Sequence, residues 1–193
     1  LVNYPYAMSQ QIYTADEMNH EACDISSVSF FNTGYYSYRN LNVFMVNTNK
    51  TKFNSSSDWV TVSEDDLVFS GYVELLDGGW ATIYFNTPFS YDGSSNVALV
   101  INDLTGEWSS SLSCRTFDTE DQQAIYVLGY DEYYGNEYAI NPYQPNYYSG
   151  TRLSEKNQVV FGIADFQYTV TLTADPAEGG TLSGGEGLHF YGQ

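Results

Sequence analysis

Leu41-Asn42-Val43-Phe44-Met45 decides the reading of the fold. In extended backbone successive side chains point to opposite faces. Leu41, Val43 and Met45 therefore share one face while Asn42 turns to the other, the pattern of a half-buried antiparallel strand. Outward from this stretch, strands are predicted over Gln11 to Thr14, Ile25 to Phe31, Leu41 to Asn47, Leu67 to Leu75, Trp80 to Phe85, Val97 to Asn102, Leu112 to Asp118, Ala124 to Tyr130 and Gln158 to Ile163. Gly, Asn, Asp or Ser bound most of them, and no stretch carries apolar residues at the i, i+3, i+4, i+7 spacing of an amphipathic helix. The nearest helical candidate is Ala15 to Ala22, with Thr14 as N-cap and Glu17 placed to complete a capping box.

Short strands at fairly regular spacing predict an all-β protein, a jelly-roll-like antiparallel β-sandwich. Asp77-Gly78-Gly79 is expected to join two of the strands as a hairpin. A boundary near Ala164-Asp165 divides the chain into a sandwich over 1–165 and a short β-hairpin-like C-terminal extension over 166–193. In the extension Tyr168-Thr169-Val170-Thr171-Leu172-Thr173 alternates, Asp175-Pro176-Ala177-Glu178-Gly179-Gly180 reads as a turn, and Thr181-Leu182-Ser183 begins a second β segment. A piece this short cannot bury a core of its own, so it is a docked hairpin or the opening of a further repeat.

Six Lys and Arg stand against 24 Asp and Glu, a formal charge of −18 over 193 residues. That surface repels phosphates, which makes nucleic acid a poor candidate partner, and none is expected. Tyr (19) and Phe (11) are abundant and supply buried area that offsets chain entropy, so the acidity belongs to a folded protein. The longest apolar runs, Val97 to Ile101 and Ala124 to Leu128, fall far short of the roughly 18 residues that cross a bilayer, and no membrane insertion is expected. Cys23 and Cys114 permit one disulfide at most, and unpaired thiols are the preferred reading. No charged segment, apolar run and cleavage site open the chain at Leu1, which reads as a mature or trimmed product.

Several stretches have a familiar look: Ser9-Gln10-Gln11-Ile12-Tyr13, Ile25 to Asn32, Tyr38-Arg39-Asn40-Leu41, Val46-Asn47-Thr48-Asn49-Lys50-Thr51, Asp58-Trp59-Val60, Val68-Phe69-Ser70-Gly71, Thr87-Pro88-Phe89, Tyr91-Asp92-Gly93 and Asn157-Gln158. Together they resemble a module of secreted Bacteroidetes surface proteins, similar to the jelly-roll cleaved adhesin or haemagglutinin domains attached to gingipain-type proteases. The likeness spans Tyr4 to Ile163 and rests on turn and core positions, so it implies a fold and carries over no binding residue. Tyr168 to Ala174, with Asp175-Pro176 and Gly179-Gly180, resembles the opening of an internalin-B-type bacterial repeat. The two resemblances imply a secreted or cell-surface protein in which other domains of the same parent accompany this one.

Catalysis by a nucleophile and base needs a positioned imidazole. The histidines are His20, in a polar loop, and His189, in the tail, and neither belongs to a triad or a His-Glu-x-x-His pattern. For glycoside chemistry Glu74 and Asp118 are the carboxylates to inspect, although 24 acidic residues make some close pair inevitable. A structural calcium ion takes oxygen donors from loops. Asn102-Asp103 with Glu107, and Asp92 beside Gly93, are placed by this reading in loops that lie close together, solvated turns being the alternative; no other cofactor is expected.

The segment from Tyr126 to Tyr148 holds eight tyrosines, Tyr126, Tyr130, Tyr133, Tyr134, Tyr138, Tyr143, Tyr147 and Tyr148, among Asp131, Glu132, Asn136, Asn141, Gln144 and Asn146. Rigid amphipathic rings beside amides and carboxylates suit sugar faces or partner proteins. The alternative is a long connection that folds back over the sandwich on its own small core. Trp80 reads as core, whereas Trp59 and Trp108 lie in polar loops, and an exposed Trp108 is the best single candidate for stacking on a sugar. The ligand-contacting set is therefore Trp108, Tyr130, Tyr133, Tyr134, Tyr138 and Asn136, and the metal set Asp92, Asp103 and Glu107. These residues point to a non-catalytic adhesion or ligand-binding module for a glycan or a host protein. A structural spacer domain and a glycan-active enzyme are the rival readings.

Overall fold

The computed structural model describes residues 4–109, 113–131, 135–164, 167–170 and 187–190. Two compact units divide the chain, Leu1–Ile163 and Ala164–Gln193. In chain order the strands of the first are β1 (Ala7–Tyr13), β2 (Cys23–Asn32), β3 (Ser37–Thr48), β4 (Leu67–Leu75), β5 (Gly79–Tyr91), β6 (Asn96–Asp103), β7 (Thr116–Asp118), β8 (Ala124–Leu128), β9 (Tyr130–Asp131), β10 (Asn136–Glu137), β11 (Thr151–Leu153), β12 (Glu155–Asn157) and β13 (Val159–Ile163), with one helical turn, α1 (Ala15–Met18). Six strands form one sheet in the order β11-β8-β1-β6-β3-β4, three form a second in the order β13-β2-β5, and β12-β7 and β10-β9 are two-stranded ribbons.

The chain changes sheets between β1 and β2, β2 and β3, β4 and β5, and β5 and β6, which makes the antiparallel sandwich jelly-roll-like. Asp77-Gly78-Gly79 does not close a hairpin ladder. It carries the chain from β4 in the larger sheet to β5 in the smaller, because Val73 and Leu75 enter the core from one side and Ala81 and Ile83 from the other. In the second unit β14 (Gln167–Val170) pairs antiparallel with β15 (Gly187–Phe190), a hairpin-like extension. The turn expected at Asp175 to Gly180 and the segment at Thr181 to Ser183 lie outside the described residues.

Two cores flank the larger sheet. Leu41, Val43 and Met45 pack with Val28, Phe30, Ile83, Leu99 and Ile101 between the sheets, as their alternation requires. The outer face is not polar: Phe44 is fully buried there with Met8, Ile12, Val100 and Ile125, under a roof of Phe53, Trp59, Val60, Val62 and Ile140. A strand covered on both faces reads as an unbroken apolar run, which accounts for Val97 to Ile101 in β6. The Gln10 amide holds the roof by donating to the Val60 carbonyl (2.9 Å) and accepting from its N–H (2.7 Å).

Trp59 and Trp80 exchange the places expected of them. Trp59 is buried, and its ring N–H donates to the Tyr148 carbonyl at 2.9 Å. Trp80 is 42% exposed and meets Phe31 edge-on at 5.4 Å. In the Phe31–Trp80 register the inward positions belong to Phe30 and Ala81, so Trp80 faces out. The capping box of Thr14 and Glu17 forms as read, but the helix stops at Met18 because Asn19 turns left-handed at φ 44°. Cys23 and Cys114 are both free thiols.

Candidate functional site

Ala7 pairs with Asp103 on one side and Leu128 on the other, so these three end one row of the larger sheet. Just beyond that row the chain places Tyr4, Trp108 and Tyr130. Their rings form one cluster: Trp108 lies 4.8 Å from Tyr4 and 5.5 Å from Tyr130 between centroids, and Tyr4 lies 5.9 Å from Tyr130. Trp108 remains 55% exposed, while its indole N–H donates to the Glu137 carboxylate at 2.5 Å. Glu137 in turn pairs with Tyr130 on the β9–β10 ribbon. Ring edges and a charged hydrogen bond thus fix the indole without covering it.

Arg39 organises this end from beneath. Its guanidinium is 1% exposed and sits against Asp103, 2% exposed, at 2.7 Å. It also donates to the carbonyls of Tyr4 (2.7 Å) and Glu107 (3.3 Å), so one buried cation ties down both arms that carry Tyr4 and Trp108. Tyr138 joins from the β10 side, its N–H donating to the Gly129 carbonyl. The approach is so close that a Cβ at residue 129 would stand 2.0 Å from the Tyr138 oxygen and 2.7 Å from the Tyr6 Cβ, so only glycine fits.

The structure therefore brings Trp108 and Tyr130 together and ties only the backbone of Tyr138 to the neighbouring Gly129; Asn136 pairs with Asp131 on the β9–β10 ribbon, and Tyr133 and Tyr134 lie outside the described residues. Sequence reasoning missed the half-buried Tyr4, and it missed Tyr36, Tyr38 and Tyr72, which are exposed where β3 and β4 pass the Leu41–Asp103 row. The hydrogen bond to Tyr38, foremost, pushes the Tyr36 phenol above its usual range. The only signal for them was the sheer number of tyrosines. The later half of the tyrosine-rich segment packs down: Ile140, Pro142 and Pro145 are buried, Tyr143 meets Phe44 edge-on at 5.8 Å, and the Tyr148 hydroxyl accepts from the Asn141 N–H. Tyr147 alone among its rings stands well out, at 81% exposure.

The expected oxygen donors do not converge. Asp92 precedes β6 and Asp103 ends it, and eight residues at about 3.3 Å each put roughly 26 Å of strand between them. The Asp103 carboxylate is engaged by Arg39 and by Thr105, and Glu107 is exposed. Among the described residues no group of three or more His, Cys, Asp or Glu is placed to hold a metal ion. Of the residues inspected for catalysis, His20 is exposed with Nδ1 2.8 Å from the Glu21 carbonyl, and Glu74 and Asp118 are exposed on β4 and β7 of different sheets. The side chain of His189 lies outside the description.

Asp92 caps its own loop instead. The Ser95 hydroxyl and N–H, with the Ser94 N–H, hold its carboxyl down at about 2, from an ordinary 3.8. The unfolded chain binds a proton there before the folded one does, so this contribution is complete above pH 3.8 and is lost as pH falls toward 2. Acid titration of unfolding should show Asp92→Asn losing less stability than the parent protein across that window; parallel curves would refute the assignment.

Two cavities stand out among the described residues. One, of about 410 Å³, lies on the inner face of the larger sheet along β1 and β8, with β12 at its side. The other, of about 480 Å³, lies at the opposite end of β1, among Tyr13, Met18, Ile25 and Phe161. The class these features define is an all-β sandwich with a rigid aromatic end and an open inner-face groove. Comparison with family models, curated proteins and solved structures finds no match for this chain.

Proposed function

We propose that this chain is a non-catalytic binding module that takes an uncharged glycan on its aromatic end. The observation that carries the reading is the Trp108 indole, open to solvent yet locked by Tyr4, Tyr130 and Glu137. A ring fixed in advance loses little entropy when the C–H face of a sugar stacks on it. The charge of −18 argues against an anionic ligand. The likeness to cleaved-adhesin modules supports a place on a secreted or cell-surface protein, with other domains of its parent alongside.

A screen of neutral hexasaccharides, followed by calorimetric titration of the best binder, tests this. Trp108→Ala should weaken binding at least about tenfold, or about 1.4 kcal/mol, with the melting temperature unchanged. Unchanged binding by that variant, or no saccharide bound by the parent protein, overturns the reading. A spacer role is the second reading, favoured by the packing of Ile140 and Tyr148 into the outer core, and it predicts no ligand at all.

A further inference from the structure

The inner face of the six-stranded sheet is wider than the three-stranded sheet that covers it. The covering strands build their core against β3, β4 and β6, and from β1 only Tyr13 joins it. Register then sets two rows of inward side chains past the cover: Ser9, Tyr126 and Thr151 in one, Gln11, Ala124 and Leu153 in the next. Small residues at Ser9 and Ala124 leave depth that larger ones would fill. The result is the groove of about 410 Å³, within the range of about 300–1,000 Å³ usual for small-ligand sites. Thr116, Glu155 and Asn157 of the β7–β12 ribbon form its far wall.

The polar groups of the groove are arranged in advance. The buried Gln11 amide accepts from the Asn157 N–H (2.7 Å) and the Tyr13 hydroxyl (3.1 Å) and donates to Asn157 Oδ1 (2.6 Å). That network spends the Asn157 oxygen and leaves its NH2 group with no hydrogen bond among the described residues. The Ser9 and Tyr126 hydroxyls likewise have none among those residues. Glu155, bonded to the Thr116 hydroxyl, adds a carboxylate acceptor at the rim. The one lysine at hand does not serve a ligand: the Lys156 ammonium, 0% exposed, is consumed by the Ile12 carbonyl, Glu17 and Gln123.

We propose that this groove is a second ligand site, for a short neutral oligosaccharide lying along β1 and β8. Sugar hydroxyls meet the Asn157 amide, the Ser9 and Tyr126 hydroxyls and the Glu155 carboxylate, while sugar C–H faces rest on Ala124 and Leu153. With the lysine committed, no cation in the groove holds an anionic ligand. The ligand class rests on the function proposed above, but the site uses none of the residues of the aromatic end.

The test is titration of the full chain with neutral gluco-, xylo-, manno- and galacto-hexasaccharides, read by amide chemical shifts and calorimetry. Shifts should move at Ser9, Ala124 and Leu153, and should still move there in Trp108→Ala. Ser9→Phe, which fills the groove, should weaken that binding at least about tenfold. Tyr126→Ala, which opens one wall, provides the same readout if Ser9→Phe does not fold. Shifts confined to Trp108, Tyr130 and Glu137 overturn the groove and leave the aromatic end standing. Shifts confined to the groove uphold it and overturn the aromatic end, and no shift with any hexasaccharide overturns both.

Discussion

Arg39→Met should cost about 3–5 kcal/mol of stability, because it leaves the Asp103 carboxylate buried without its cation. Both side chains are nearly inaccessible, at 1% and 2% exposure, so water cannot replace the lost partner. Asp103 keeps only its hydrogen bonds from Thr105, and the Tyr4 and Glu107 carbonyls lose their shared donor. The double variant Arg39→Met with Asp103→Leu should recover most of the loss, since a buried pair replaced by apolar side chains is often close to neutral. Urea unfolding at neutral pH measures both, the midpoint moving at unchanged slope. On the proposed function, glycan binding separates the two jobs of Arg39: the double variant regains stability, yet its arms at Tyr4 and Trp108 stay untied, so affinity stays low. A single variant no weaker than an ordinary surface substitution would refute the anchor.

Period-two alternation was enough to read the sandwich, because a strand with one face on a core declares itself in five or six residues. It was not enough to read the second core. Phe44 stands beside Asn42, and the residues that cover it, Phe53, Trp59 and Ile140, arrive from loops whose polarity suggested exposure. Local alternation records which side of a strand is apolar, not what later parts of the chain lay over it. Val97 to Ile101 did carry the information, since an unbroken apolar run implies cover on both faces. Trp80 shows how narrow the margin is: one step of register separates it from the inward Ala81.

The candidate site was legible only in part, for the same reason. Trp108 and Tyr130 stood out as aromatic residues in polar surroundings, but Tyr4 joins them only through the row of Ala7, Asp103 and Leu128, which no local pattern reveals. Arg39 carried a faint signal, being one of six cations in an acidic chain and lying within a strand. The expected meeting of Asp92 with Asp103 failed on simple length, because β6 runs between them. Proximity in the list of acidic loops did not mean proximity at one end of a sheet.

Trp59→Ala should cost about 3–5 kcal/mol, the usual range for truncating a buried aromatic side chain, and its effect should fall on one face of the molecule. Trp59 packs where Gly150 passes: a Cβ there would lie 2.5 Å from the indole and 2.7 Å from Ile125, so the segment leading into β11 is seated directly on the ring. Removing the ring leaves a cavity beneath residues 138–150 and orphans the Tyr148 carbonyl that its N–H satisfied. The core between the two sheets has no member in this cluster and should survive. Limited proteolysis should therefore cut first within 138–150, and amide exchange should accelerate there before it does in β2 or β5. On the proposed function, glycan affinity should fall as well, because Glu137, which holds the Trp108 indole, lies immediately before the loosened segment. Trp108→Ala makes the contrasting case, losing affinity at full stability. If Trp59→Ala instead loosens both faces together, the two cores act as one cooperative unit and the roof is not an independent support of the aromatic end.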